Sequence, residues 1–287
     1  MLLKEIKNIY HLELDTLFPK EEVDSFFYLA IDHYLGLERF VLAMQPMLVV
    51  SKENENALFY ALSQLKQERP IQYILGKAHF CELEFRVDEN VLIPRPETEE
   101  LVYWILEEQP RLESQKGIKI LDIGTGSGCI AISLAKNMPN AKVYALDISQ
   151  KALKIAERNA LDNNVDIVFL EADILSFEGL KDKFDVIVSN PPYVRELEKM
   201  QMKINVVGHE PGLALFVSDQ DPLVFYKKIT LFALSHLKKG GVLFFEINQY
   251  LGEEMKHLLE RENFSEIELR KDLYGNDRML KGLFNPK

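Results

Sequence analysis

Apolar residues in the first part of the chain recur every three or four positions. Leu2, Ile6, Ile9, Tyr10, Leu14 and Leu17 form one such stripe, which predicts an amphipathic helix. Pro19 suits the first turn of a second helix. Glu21 and Glu22 favour that helix's positive end, and Phe26, Phe27, Ala30, Ile31 and Tyr34 give it a buried face that Gly36 can close. Ser51 is placed to cap a further helix, carried by Leu58, Ala61, Leu62 and Leu65 and closed by Pro70. Residues 1–72 are therefore expected to form a helical domain. The pattern then changes. Phe80, Leu83, Phe85 and Val87 mostly alternate, which predicts a short β-hairpin inside a linker over 73–93. Pro94 and Pro96 force an extended entry into a helix that Glu97 or Thr98 can start, with Leu101, Val102, Trp104 and Ile105 as its apolar side.

From residue 117 onward short apolar runs alternate with amphipathic segments. Seven runs read as strands: 118–123, 142–146, 167–170, 184–189, 241–247, 267–269 and 279–284. Helices fit between most of them. That rhythm predicts an α/β domain over 94–287 with a mostly parallel seven-stranded sheet. The last two runs lie too close together for a helical crossover, so they are expected to be antiparallel neighbours. The chain shows no internal repeat and no low-complexity tract.

Composition narrows the classes. With 287 residues, about two domains are expected. Hydrophobic residues at 47% can fill a core, and 28% charged residues without Pro or Gly enrichment exclude a disordered chain. A net charge of -11 speaks against affinity built on a basic nucleic-acid footprint. The two cysteines, Cys81 and Cys129, lie far apart and in no metal-like spacing, so packed, reduced thiols and no metal site are expected. Residues 1–10 hold no apolar signal core. No run reaches the roughly 18 apolar residues of a membrane span; the most apolar early stretch, 40–50, is broken by Gln45 and Pro46. A cytoplasmic location, away from membranes, is the expectation.

Four motifs carry candidate chemistry. The first is the turn Gly124-Thr125-Gly126-Ser127-Gly128, which follows the strand 118–123 and opens a helix. Glycines let a backbone turn sharply and approach a ligand closely, and a helix start offers unpaired amides. Gly126, Gly128 and Ala131 also satisfy the loose dinucleotide fingerprint, so this turn alone leaves a nucleotide and S-adenosylmethionine (SAM) both open. The second is Asp147, followed by Ile148, at the end of the next strand. A carboxylate about 20 residues after a glycine turn can accept both ribose hydroxyls; the plain alternative is a helix cap. The third is Asp173, which can accept from an adenine amino group while Ile174 packs on the ring; a turn aspartate is the plain alternative.

The fourth motif decides between ligands. Asn190-Pro191-Pro192-Tyr193 ends the fourth strand of the α/β part, where open sheets of this kind build their sites. An amide or ring-amino nitrogen is a poor nucleophile because its lone pair is delocalised. Both its N–H bonds must be held so that the lone pair faces a methyl donor. The Asn190 side-chain carbonyl and the Pro191 backbone carbonyl can accept those two N–H bonds. The prolines fix the backbone direction and add no donor. Tyr193 is expected as a flat wall against a planar group. No general base is needed, since attack on a sulfonium methyl depends on alignment. His79, His209, His236 and Trp104 read as core or surface, with His209-Glu210-Pro211 shaping a loop near the pocket.

With those residues in view the chain resembles a class I SAM-dependent methyltransferase of Rossmann-like fold. Gln72-Tyr73-Ile74-Leu75-Gly76, the run 92–99 (Leu-Ile-Pro-Arg-Pro-Glu-Thr-Glu), Asn190-Pro191-Pro192-Tyr193 and Glu210-Pro211 resemble, more specifically, the HemK/PrmC family of peptide chain release factor glutamine N5-methyltransferases. The resemblance spans nearly the whole chain. It implies SAM as cofactor, S-adenosylhomocysteine as product, and the glutamine of the Gly-Gly-Gln loop of bacterial class I release factors as substrate. It implies SAM contacts from Gly124 through Gly128, Asp147, Ile148, Asp173, Ile174 and Asn190. The substrate glutamine is implied on Asn190 to Tyr193, with Asn190 the catalytic residue, and the helical domain docks the factor. Ile174 departs from members with an aromatic there, and Phe216 to Pro222 replaces a glycine-rich loop. A monomer with no direct nucleic-acid contact is expected.

Three rivals share parts of this pattern. Amino-group methylation of a DNA adenine or rRNA guanine uses the same acceptor logic, but calls for a target-recognition domain and a basic groove. A nicotinamide dehydrogenase explains the glycine turn and Asp147 and leaves Asn-Pro-Pro-Tyr without a role. A non-catalytic SAM-binding module would bind the cofactor without turning it over.

Overall fold

The computed structural model describes residues 1–108, 117–201 and 204–286. The chain forms two compact units, one of residues 1–77 with the late segment 204–209, the other of 78–108, 117–201 and 210–286.

The first unit is helical. Helices Leu3–Leu14, Lys20–Leu35, Lys52–Leu65 and Ile71–Leu75 enclose a core of Leu3, Ile6, Tyr10, Phe27, Ala30, Leu58 and Leu65; all but Leu3 lie on the apolar stripes of the sequence, and Leu17 of the first stripe is exposed instead. Tyr10 keeps its ring in that core because its hydroxyl donates to the Leu58 carbonyl at 2.6 Å. Ser51 caps as expected, its hydroxyl accepting from the Asn54 amide. Gly36, with φ of 63°, ends the helix before it. The prolines differ from expectation by a few residues. Pro19 lies just before its helix, and Pro70 starts the short helix Ile71–Leu75. Both follow from the ring's fixed φ, which favours helix entry. The segment 204–209, remote in sequence, joins this unit, and the His209 ring bonds the Gln67 carbonyl at 3.1 Å.

The hairpin of β1 (Lys77–Phe80) and β2 (Leu83–Arg86) lies, from Ala78 on, at the start of the second unit. Phe80 and Phe85 are buried in the same core as Trp104 and Ile120. The central sheet contains β3 (Lys119–Ile123), β4 (Lys142–Asp147), β5 (Ile167–Glu171), β6 (Phe184–Ser189), β9 (Leu237–Glu246), β10 (Phe264–Lys271) and β11 (Asp277–Phe284). Two short strands, β7 (Val194–Arg195) and β8 (Phe216–Val217), pair separately in parallel. The seven strands run in the order β10-β11-β9-β6-β3-β4-β5, and β11 pairs antiparallel with both β9 and β10. The mostly parallel seven-stranded sheet is thus as expected. Its strands read as unbroken apolar runs because both faces are covered. Ile120, Val186, Val188 and Phe244 face the helices Pro96–Glu107 and Cys129–Asn137. Leu121, Ile187, Leu243 and Phe245 face Val224–His236 and Gly252–Arg261.

Strand ends shift by one or two residues in β3, β4, β5 and β11, and by more in β9 and β10. β9 begins four residues before the apolar run, at Leu237, because its start is paired by backbone across Gly240 and Gly241. β10 is longer than its apolar residues because it is an edge strand, and Glu266, Glu268 and Arg270 occupy positions that need no core face. The helix 96–107 starts at Pro96 itself, so neither Glu97 nor Thr98 caps it.

Candidate active site

The chain runs outward from β3 to β4 to β5, then returns to lay β6 on the other side of β3. Such a reversal opens a crevice beyond the strand ends. Ile123 pairs with Leu146 on one side and Ser189 on the other, so β3, β4 and β6 end level. The glycine turn, Asp147 and Asn190 therefore emerge side by side. The Ser189 hydroxyl donates to the Ile123 carbonyl at 2.6 Å and ties the two strand ends together.

Above these ends lies a cavity of about 460 Å³. Of the expected site residues, Gly124, Gly126, Asp147, Ile148, Asp173, Ile174, Asn190, Pro191 and Pro192 line it. Thr125, Ser127, Gly128 and Tyr193 do not. The Thr125 hydroxyl turns into the protein and donates to the buried Asp122 carboxylate at 2.6 Å. Ser127 is buried under the turn. Gly128 serves packing: with φ of +82°, a Cβ on it would sit 2.9 Å from the Ile132 Cδ1 and 3.1 Å from the Ala156 Cβ. The amides of Gly124 and Thr125 donate to the Leu146 carbonyl, that of Gly126 to Asp147, and that of Gly128 to the Thr125 carbonyl. These four amides are engaged within the protein, so they do not form a phosphate cradle.

Asp147 accepts twice from the backbone, from Gly126 at one oxygen and Ser149 at the other, each at 2.8 Å. Burial pushes its carboxyl above the ordinary value, and the amides of Ser149, Gly126 and Ile148 pull against that. It is not the helix cap, because Ser149 fills that role by accepting from the Ala152 amide. Asp173 accepts from the Leu175 amide at 2.9 Å, a turn that holds its carboxylate at the cavity wall beside the buried Ile174. Among the described residues the lining carries the carboxylates of Glu89, Asp147 and Asp173 and no Lys, Arg or His. Its apolar part includes Val91, Leu92, Leu213, Ala214 and Phe225, which the sequence reading had not assigned. No group of three or more His, Cys, Asp or Glu is placed to hold a metal among the described residues.

Asn190 is held from the side opposite the glycine turn. Its Nδ2 donates to the Thr98 hydroxyl oxygen at 3.3 Å, and that hydroxyl donates to Glu246 Oε2 at 2.6 Å. Glu246 sits at the end of β9, 1% exposed. Its other oxygen accepts from the Tyr193 hydroxyl at 2.9 Å. Burial raises the Glu246 carboxyl, while Thr98, Tyr193 and Arg278 favour its charged form. Tyr193 thus differs from expectation. The buried carboxylate draws its hydroxyl inward and the ring does not wall the cavity. Thr98 and Glu246 were not assigned from sequence either; the one available signal was a lone glutamate closing the apolar run of β9.

The segment 92–99 is secured separately. Buried Glu210 accepts from the Arg95 guanidinium at 2.5 Å and from the Ile93 amide at 3.2 Å. Pro211 beside it lines the cavity. Phe216 and Val217, in the segment that departs from the glycine-rich loop, pair with Val194 and Arg195 just after the prolines. His236 and Trp104 are buried packing residues, as expected.

Comparison with known proteins gives a consistent neighbourhood. Residues 14–76 match the PrmC N-terminal domain and 106–209 the methyltransferase small domain. A release factor glutamine methyltransferase of Flavobacterium psychrophilum is 53% identical over 98% of this chain and 99% of its own. Its counterpart in Bacteroides thetaiotaomicron is 44% identical over 93% and 95%. Among solved structures, the human Mettl16 catalytic domain in complex with an RNA hairpin aligns with a TM-score of 0.56 at 16% identity, covering 77% of this chain and 84% of that one. A methyltransferase of Pyrococcus furiosus aligns with a TM-score of 0.51 at 18% identity, over 82% and 100%. These two likenesses concern the fold.

Proposed function

The chain belongs to the release factor glutamine methyltransferase family, and from that premise we propose that it methylates the side-chain amide nitrogen of the glutamine in the Gly-Gly-Gln motif of bacterial class I peptide chain release factors. The observation that carries the reading is Asn190 and its two prolines on the wall of an acidic cavity with no basic lining among the described residues. A dinucleotide brings two phosphate charges, which need amide or cationic partners. Here the amides of Gly124, Thr125, Gly126 and Gly128 are already bonded and the charged lining is carboxylate. SAM, with a sulfonium and an ammonium group, suits that field.

When bound, SAM supplies an electrophilic methyl group on sulfur. Asp147 retains lone pairs on both oxygens to accept the ribose hydroxyls. Asp173 accepts from the adenine amino group, and Ile174 packs on its ring. Gly124 and Gly126 leave room for the ligand to lie against the backbone. Asn190 Oδ1 and the Pro191 carbonyl accept the two N–H bonds of the substrate amide and turn its nitrogen toward the methyl. SAM would supply the methyl group and keep the electron pair of the broken C–S bond on its sulfur, and the substrate nitrogen would release one proton to water. Acceptors around that nitrogen stabilise the positive charge that grows on it. The helical unit docks the release factor, and the protein works in the cytoplasm as a monomer without nucleic acid. No helix among the described residues is long and apolar enough to cross a membrane.

The test is incubation with SAM and an unmethylated bacterial class I release factor, with the Gly-Gly-Gln peptide read by mass spectrometry. One methyl group on that glutamine is expected. An unchanged peptide from a protein that still binds SAM would overturn the substrate and direct the search to RNA, DNA and ribosomal proteins.

A further inference from the structure

We propose that Glu246 is a positioning residue for methyl transfer, setting through the Thr98 hydroxyl which way the Asn190 amide faces. This rests on the reading of Asn190 as the clamp for the substrate amide. The argument is one of hydrogen-bond polarity. An asparagine side chain is nearly symmetric in shape and opposite in function at its two ends: the oxygen accepts and the NH2 donates. A clamp for a substrate NH2 must present the oxygen. The reversed amide would set donor against donor.

Thr98 has one proton to give. A carboxylate only accepts, so the 2.6 Å contact with Glu246 takes that proton. The Thr98 oxygen then offers only lone pairs to Asn190. Facing it, Asn190 must place its NH2, as in the 3.3 Å contact from Nδ2. The reversed amide would oppose two oxygens with no hydrogen between them. Oδ1 is thereby left for the acceptor amide. Tyr193 donates to the second Glu246 oxygen at 2.9 Å, and Arg278 lies close enough to favour the charge. The Tyr193 hydroxyl, rather than its ring face, is what supports the clamp.

The experiment compares Thr98→Val, Thr98→Ser, Glu246→Gln, Thr98→Val with Glu246→Gln, and Asn190→Ala, in the full chain with SAM and the release factor. Thr98→Val keeps the shape and removes the hydroxyl. Its kcat is expected to fall about tenfold or more, with the SAM Kd within about twofold of the parent. Thr98→Ser should restore kcat to within about threefold. Glu246→Gln should lower kcat alone, yet add less than about twofold to Thr98→Val, because its effect passes through that hydroxyl. The proposal is overturned if Thr98→Val turns over at the parental rate, if serine fails to rescue, or if the two losses multiply. Asn190→Ala separates the two ideas. Loss of turnover there with parental Thr98→Val sinks only the role of Glu246, and normal turnover in Asn190→Ala sinks the clamp itself.

Discussion

Replacing Asp147 with asparagine keeps the side chain's shape and removes one acceptor and the charge. The parent carboxylate accepts from the Gly126 and Ser149 amides at 2.8 Å each. Asparagine can keep one of these bonds, while its NH2 faces the other amide. A lost acceptor for a buried N–H costs about 1–3 kcal/mol. Burial already disfavours the Asp147 charge, so removing that charge offsets part of the cost. Net destabilisation of about 1–2 kcal/mol is expected. The ligand loses more. Two ribose hydroxyls donating to a carboxylate contribute about 1.5–3 kcal/mol each. One such bond disappears and the other loses its charge assistance, giving about 2–4 kcal/mol, or roughly 30- to 1000-fold in Kd. Isothermal titration calorimetry with SAM and with S-adenosylhomocysteine measures this, and urea unfolding checks the fold. A folded Asp147→Asn protein that binds within about threefold of the parent would refute the assignment of Asp147 to the ribose.

Gly128→Ala tests the packing role of the last glycine in the turn. A left-handed φ costs an L-residue about 1–2 kcal/mol, and forcing a methyl against Ile132 and Ala156 adds about 1–3 kcal/mol; a loss below about 1 kcal/mol in urea unfolding would show the turn to be tolerant. Asp122→Asn tests the buried carboxyl under the turn, which burial pushes up to about 7. Its folded value lies above the unfolded one of 3.8, so the folded chain holds the extra proton and parent stability falls as pH rises from about 4 to 7. The asparagine variant lacks that term and should gain on the parent between about pH 5 and 7.5, whereas an equal gap at both pH values would mean the carboxyl is already ionised.

The parts of this fold legible in sequence are those fixed by local periodicity. Strands buried on both faces, such as Phe184–Ser189, stand out as continuous apolar runs, and capped helices announce their ends at Ser51 and Gly36. The edge strand Phe264–Lys271 is half hidden because only its backbone must pair. In the site, motifs at strand ends were readable because a strand end fixes where a residue emerges, and Gly124, Gly126, Asp147 and Asn190 all reach the cavity. Side-chain direction just past a strand end was not readable, since the alternation has already stopped there. Thr125 turning down to Asp122 and Tyr193 turning to Glu246 are both of this kind. The Thr98–Glu246 contact joins residues 148 positions apart and has no local signature.

Glycine turn and acidic strand end are shared by several ligand classes, and what separates the classes here is the sign of charge at two depths. In the cavity the charged lining is carboxylate and four of the turn amides are bonded internally, which disfavours an anionic phosphate and favours a cationic sulfonium. At the Asn190 wall the exposed groups are acceptors, because prolines contribute carbonyls without N–H and the Asn190 NH2 is taken by Thr98. A neutral amide that becomes positively charged as it gains a methyl group meets acceptors on one side and carboxylates on the other. Proximity and alignment, worth up to about 7–11 kcal/mol in well-oriented cases, then act without a dedicated base, since the proton departs after the charge has formed. The buried carboxyl of Glu246 belongs to the same logic one layer deeper: burial raises it while Thr98, Tyr193 and Arg278 favour its charged form, and by accepting from Thr98 it converts a symmetric amide into a one-way acceptor.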